Sequence, residues 1–152
     1  MLVVPFDIAN LKLALPLARV ARIEPMVELA PLPRAMPNVA GGVVYAGSLL
    51  PIYELRAKLG RDPREARAAD QLLLAYARGQ LVGIVADATA AVTEIADFSE
   101  DGRSTAGILA EGGTISGAAI IDGRVVLITD LDAFLDDAQA LELDAILREF
   151  NA

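Results

Sequence analysis

One pattern in this sequence occurs twice. Residues 41–59, GGVVYAGSLLPIYELRAKL, lie without a gap over residues 117–135, GAAIIDGRVVLITDLDAFL. Gly41 falls on Gly117, Gly47 on Gly123, Glu54 on Asp130, and Leu55 and Leu59 on Leu131 and Leu135. Apolar coincidences weigh little in a chain that is 55% apolar, so the paired glycines and acids carry the argument. An upstream pair of segments overlays in the same order, with Ala14, Leu15, Leu17 and Ile23 on Gly83, Ile84, Ala86 and Val92. A chain written twice on one plan is expected to fold as two like units of roughly 70 residues each.

The unit reads as β-hairpins. Apolar runs 3–8 and 11–15 flank Ala9-Asn10, runs 43–45 and 48–53 flank Ala46-Gly47, runs 71–77 and 81–85 flank Arg78-Gly79, and runs 118–121 and 124–128 flank Asp122-Gly123. Asp-Gly is the strongest turn of the four, because both residues tolerate the positive φ of a type I′ turn. About five short strands per unit are too few for a stable open sheet but enough to curl into a small barrel. The expected fold is therefore all-β with short helices, a single domain over 1–152 in which halves 3–60 and 70–136 each form one barrel. Helical spacing after each second hairpin, at Leu55 and Leu59 and at Leu131, Phe134 and Leu135, predicts two short helices, the second capped by Asp130 or Thr129.

Other segments read as connections. Residues 60–70, GRDPREARAAD, form a polar linker, and 97–113, with four glycines in GRSTAGILAEGG, an irregular loop. The tail 137–150 sets Leu141, Leu143, Ile146, Leu147 and Phe150 mostly on one helical face and is expected to form a helix that docks on the barrels, with a partner as the alternative. Gly41, Gly47, Gly83, Gly117 and Gly123 are expected at turns and close approaches of backbone. Glu54 and Asp130, at equivalent strand ends, are expected to accept amide hydrogen bonds.

Composition narrows the chemistry. The net charge of -8 repels phosphate backbones and anionic lipid, which argues against nucleic acid as a partner. There is no cysteine for disulfide or thiolate chemistry and no histidine for general base catalysis near neutral pH. The uncharged stretch 35–53 holds Pro37, Asn38, Gly41, Gly42, Gly47 and Pro51, so it reads as turns between strands rather than a membrane span. The start of the chain has no basic segment of the secretory kind, and a cytoplasmic protein without direct membrane insertion is expected. The rival class is a carboxylate-based hydrolase using Asp87 and Asp130. No phosphate-binding loop, Gly-x-Ser-x-Gly or zinc-ligand set accompanies them, so no enzyme, cofactor or metal is expected.

Four segments in order resemble the CheW-like domain family: the opening FDIANLKLALPLARVARIEP, then VAGGVVYAGSLLPIYELRAKLG, LVGIVADAT and ISGAAIIDGRVVLITDLDAFL. The resemblance runs from Val3 to Leu135. It implies two five-stranded, SH3-like barrels packed together, with no catalysis. It also implies an adaptor that bridges the cytoplasmic tips of chemoreceptors and the regulatory domain of a CheA-type histidine kinase, recruited to membrane-associated receptor arrays. A divergent scaffold for a polar or pilus-linked array, self-associating or joining other CheW-like domains, is the alternative. One departure matters: the family usually has Arg just before the turn glycine, and this chain has Ala46, which cannot make the directional hydrogen bonds of a guanidinium.

The partner-binding residues expected from this resemblance are Val43, Tyr45, Ala46, Gly47 and Leu49 around the β-turn, Ile84 and Asp87 on the strand from Leu81 to Asp87, and Gly117. For Val43, Tyr45 and Leu49 the competing role is core packing, since strand alternation puts all three on one face unless the turn resets the phase. For Asp87 the competing role is bonding to nearby turn amides.

Overall fold

The computed structural model describes residues 1–32, 38–95, 115–134 and 148. The expected loop 97–113 lies outside the described residues, as does the expected tail helix 137–150 apart from Arg148. The strands are β1 (Leu2–Ile8), β2 (Leu11–Pro16), β3 (Val20–Pro25), β4 (Val39–Tyr45), β5 (Ser48–Tyr53), β6 (Gln71–Ala77), β7 (Gln80–Ala86), β8 (Ala88–Thr89), β9 (Thr93–Glu94), β10 (Ile115–Ile121) and β11 (Arg124–Thr129). Single 3-10 turns at Leu17–Arg19, Ala57–Leu59 and Leu131–Phe134 connect or cap them.

All four hairpins are present, as β1–β2, β4–β5, β6–β7 and β10–β11. Three turn on two residues of positive φ: Ala46 and Gly47 at 52° and 83°, Arg78 and Gly79 at 50° and 76°, Asp122 and Gly123 at 51° and 75°. This is the type I′ geometry, whose twist matches that of the flanking strands. Ala46 and Arg78 adopt it against the clash of their own Cβ, which costs about 1 kcal/mol each.

The hairpins assemble across the repeat rather than within it. One sheet has the order β10-β11-β2-β1-β8, with β9 also on β1, and the other has the order β3-β6-β7-β5-β4. Residues 3–60 and 70–136 therefore do not each make one barrel, which corrects the division read from the sequence. The first hairpin joins the last through the parallel pair β2·β11, and the two middle hairpins join through β5·β7. Because both halves present the same strand edges, either arrangement satisfies the same ladders, and the apolar pattern does not distinguish them.

The repeat itself reaches down to individual pairs. Ile52 pairs with Gly83 in one sheet and Ile128 with Ala14 in the other. Val20 opposite Ala75 is matched by Thr89 opposite Phe6, and Glu24 opposite Leu72 by Thr93 opposite Val3. Both second hairpins carry a register shift at the corresponding glycine, between Val39 and Gly41 and between Ile115 and Gly117.

Alternation along each strand then divides the core in three. Val3, Ala14, Val126 and Ile128 fill one sheet's concave side, and Leu50, Ile52, Leu72, Leu74 and Val85 fill the other's. The opposite faces, with Phe6, Leu13 and Leu15 from one sheet and Leu73, Ala75 and Ile84 from the other, meet in a shared cluster between the barrels. Central strands are thus buried on both sides, which is why they read as continuous apolar runs. The seam of the second barrel, beside edge strands β3 and β4, is closed by the reciprocal bonds of Ala30, in the segment after β3, with Gly42 at 2.8 Å and by Arg22 Nη1 donating to Tyr45 Oη at 3.4 Å. Among the described residues no helix is long and apolar enough to cross a membrane.

Candidate functional site

The β4–β5 tip is built around its turn. Val43 and Tyr45 are half-buried and pack toward the interior of their barrel, while Val44, Ala46 and Gly47 are exposed. Val44 is 61% exposed, the largest apolar surface at this tip. Arg22, reaching over from β3, is held between Tyr45 Oη and Glu24, the latter 2.9 Å from Nε. The hydrogen bond to Tyr45, then the charge of Glu24, raise its already high pKa, so it stays cationic. The tip therefore offers an aliphatic side chain, a tyrosine and a guanidinium on one small surface, and the last two are of kinds enriched where protein partners bind tightly.

Leu49 does not share the face of Val43. The register puts Val44 opposite Leu49 and Val43 opposite Leu50, so the two-residue turn resets the phase. Leu49 is 6% exposed and belongs to the cluster between the barrels, and Ile84 is wholly buried there. Gly117 is buried as well. All three are buried within this chain: strand alternation counted through the turn pointed the wrong way for Leu49, and Ile84 lies on an apolar strand buried on both faces.

Asp87 lies where the chain leaves β7 for β8, and it is the centre of a charged network. Its Oδ2 accepts the Ala9 amide at 2.8 Å, and its Oδ1 accepts Arg56 Nη2 at 2.5 Å and Arg64 Nη2 at 2.6 Å. Arg56, only 4% exposed, also donates to both carboxylate oxygens of Glu54 at 3.3 Å. Arg64 forms a two-pronged pair with Asp70, both bonds 2.8 Å, and Asp70 in turn accepts the Arg67 amide at 2.7 Å. The Arg64 guanidinium holds Asp70 below the usual carboxylate range, and the same pair pushes Arg64 further up. The polar linker 60–70 is thereby tied to the end of β7.

The two acids at equivalent strand ends make equivalent bonds. Glu54 Oε1 accepts the amide of Arg56 and Asp130 Oδ1 accepts that of Asp132, both at 3.1 Å. Asp130 and Asp87, the pair considered for hydrolysis, are each engaged as acceptors of amide or guanidinium groups. Gly41, at φ 155°, has no room for a side chain, since a Cβ there would lie 2.7 Å from the Ala30 carbonyl oxygen. A Cβ on Gly83 would lie against Ile52 Cδ1, whereas Gly123, at φ 75°, opens to solvent and serves its turn by backbone freedom alone.

Sequence reasoning missed Val44, Arg22, Arg56 and Arg64. Val44 was visible as the outward partner of a buried alternation. The arginines were not, because their roles depend on β3 meeting β4 and on the linker folding back over β7. Beside that linker is an open cleft of about 1010 Å³, bordered by Met26, Leu29, Val39, Pro63 and Arg67.

Comparison with known proteins gives one family and consistent relatives. The model of the CheW-like domain matches residues 2–139. The chain is 24% identical over 132 residues to the chemotaxis protein CheW of Rhizobium meliloti (strain 1021), covering 86% of this chain and 84% of that protein. It is 22% identical over 137 residues to the probable chemotaxis protein CheW of Rhizobium etli, covering 90% and 88%. The crystal structure of the scaffolding protein TtCheW from Thermoanaerobacter tengcongensis superposes with a TM-score of 0.78 at 18% identity, over 91% of this chain and 89% of that one.

Proposed function

Because this chain belongs to the CheW-like domain family, a family of chemotaxis adaptors and scaffolds, we propose that it couples chemoreceptors to a CheA-type histidine kinase by docking, without catalysis of its own. It acts in the cytoplasm, at membrane-associated receptor arrays. The observation that carries the reading is the family match over nearly the whole chain, together with an exposed, partner-like surface at the β4–β5 tip. That surface comprises Val44, Ala46 and Gly47 with the exposed edges of Val43 and Tyr45, and Arg22 beside them. An adaptor of this kind transmits a signal only if its contacts differ between the active and inactive states of the kinase. A transient interface of about 1,200 Å² and micromolar affinity fits that duty.

The test is capture of partners from the lysate of the native organism on the immobilised chain and on its Val44→Asp variant, with mass spectrometry. The reading expects a CheA-type kinase or a chemoreceptor on the native protein and their loss from the variant, at an unchanged melting temperature. Ala46, in place of the family's usual Arg, supports a second reading, an array scaffold without kinase coupling. Recovery of a polar or pilus-linked scaffold, or of this chain alone, would favour it. Ala46→Arg separates the two further, since restored kinase affinity in that variant would make the missing guanidinium the cause.

A further inference from the structure

In the described residues the chain passes between the barrels at two places, from β2 to β3 through Leu17–Arg19 and from β7 to β8 at Asp87. The repeat equates these crossovers within one residue, because Ala18 corresponds to Asp87 and Arg19 to Ala88. It equates Arg56 with Asp132 as well. Each crossover is fastened by an acid and a guanidinium, but with the charges exchanged. At the second crossover Asp87 meets Arg56, and at the first Arg19 meets Asp132, with Nη1 and Nη2 each 3.1 Å from an oxygen.

In both places the acid also takes the amide of a hairpin turn in the opposite barrel. Asp87, at the end of β7, accepts from Ala9 in the β1–β2 turn at 2.8 Å. Asp132, after β11, accepts from Arg78 in the β6–β7 turn at 2.7 Å. Ala9 and Arg78 are themselves repeat equivalents, and both have positive φ, 54° and 50°. The two barrels are thus pinned to each other reciprocally, each by a carboxylate that reaches the other's turn.

The two fastenings differ in their exposure to water. Arg56 and Asp87 are 4% and 26% exposed, and Arg64 adds a second guanidinium. Arg19 and Asp132 are 45% and 37% exposed, with the Arg78 backbone and side chain as the further partners. Salt screens the second kind of pair far more than the first.

We propose that the Asp87 crossover is a fixed pivot between the barrels and the Asp132 crossover a latch, whose release lets the barrels turn about the pivot and changes the spacing of surfaces carried on different barrels. The inference concerns this chain alone and does not depend on which partner it binds. The absence of cysteine makes it directly testable. Spin labels at Ser48→Cys and Arg124→Cys, exposed and repeat-equivalent positions on the two barrels, report the distance between them by pulsed electron resonance. In Asp132→Ala and in Arg19→Ala the distance distribution broadens at low salt to the width that the native protein reaches in 1 M NaCl. Exchange of the Arg78 amide accelerates roughly tenfold in Asp132→Ala. Asp87→Ala lowers the melting temperature by several degrees more than Asp132→Ala. An unchanged distance distribution in Asp132→Ala, even with faster exchange at Arg78, would reduce that clasp to a local cap and overturn the proposal. An equal or smaller loss of melting temperature in Asp87→Ala would overturn it too, because the pivot would then be no firmer than the latch.

Discussion

The tips of β4–β5 and β10–β11 occupy the same place in the repeat and turn on the same glycine, yet one buries a side chain that the other leaves in water. Val44 and its counterpart Ile120 are both exposed, at 61% and 66%. Their cross-strand partners part company: Leu49 is 6% exposed, Val125 58%. Two residues further from the tip, Gly42 stands where the other hairpin has Ala118. A Cβ on Gly42 would lie 2.7 Å from Leu49 Cδ1 and 3.0 Å from Leu32 Cδ2. The missing methyl is the slot into which Leu49 and Leu32 fold. The comparison ties the burial of Leu49 to the space that Gly42 leaves beside Leu32, and with it the width of the apolar tip that the hairpin shows.

The most forceful way to break this comparison is to charge both partners. Leu49→Asp would bury a carboxylate with no partner and is expected to cost about 3 kcal/mol or more, while Val125→Asp should stay within about 0.5 kcal/mol. Urea midpoints of the two variants measure the difference directly, and equal losses would place Val125 in the core. Gly41→Ala comes next, because its Cβ would meet the Ala30 carbonyl oxygen, backbone that cannot swing aside. About 2–3 kcal/mol is expected, read as a fall in melting temperature.

Gly42→Ala is milder, since the atoms it meets are the ends of flexible side chains. It should cost about 1–2 kcal/mol, and it should turn the β4–β5 tip into a likeness of β10–β11 with Leu49 expelled, seen as a gain in binding of a fluorescent apolar probe. Ala46→Asp copies the β10–β11 turn onto β4–β5 and should stabilise by about 0.5 kcal/mol, as Asp tolerates positive φ better than Ala. The smallest effect is with pH. Arg64 holds Asp70 low, and the Arg78 amide, then Arg19, hold Asp132 low. A carboxylate whose folded pKa is depressed contributes fully above its unfolded value of about 4 and loses that contribution as pH falls through the folded value. The melting temperature should therefore drop as the pH falls below about 4, and Asp132→Asn should flatten part of that slope.

Much of the fold was legible. Paired glycines, two-residue turns and apolar runs on either side of them placed all four hairpins, and the overlay of residues 41–59 on 117–135 anticipated the equivalence of their strand pairs and of the bonds made by Glu54 and Asp130. These features are local: a turn and its flanking strands form from neighbours in the chain, so their signals lie within a few residues. The site was less legible. Val43 and Tyr45 proved half-buried and Leu49, Ile84 and Gly117 buried, because alternation tells which residues share a face only until a turn shifts it, and never which of two apolar faces meets water.

The sequence by itself determined the hairpins, their repeat, the acidic character and the absence of histidine and cysteine chemistry. Only the tertiary structure decided that the first hairpin joins the last, that Asp87 gathers Arg56 and Arg64 from segments remote in the chain, and that Val44 rather than Leu49 faces solvent. The physical reason is that strand edges in a repeated chain are interchangeable. Which edges pair, and which charges then meet, is settled by how well whole faces pack against each other, and no short stretch of sequence carries that information.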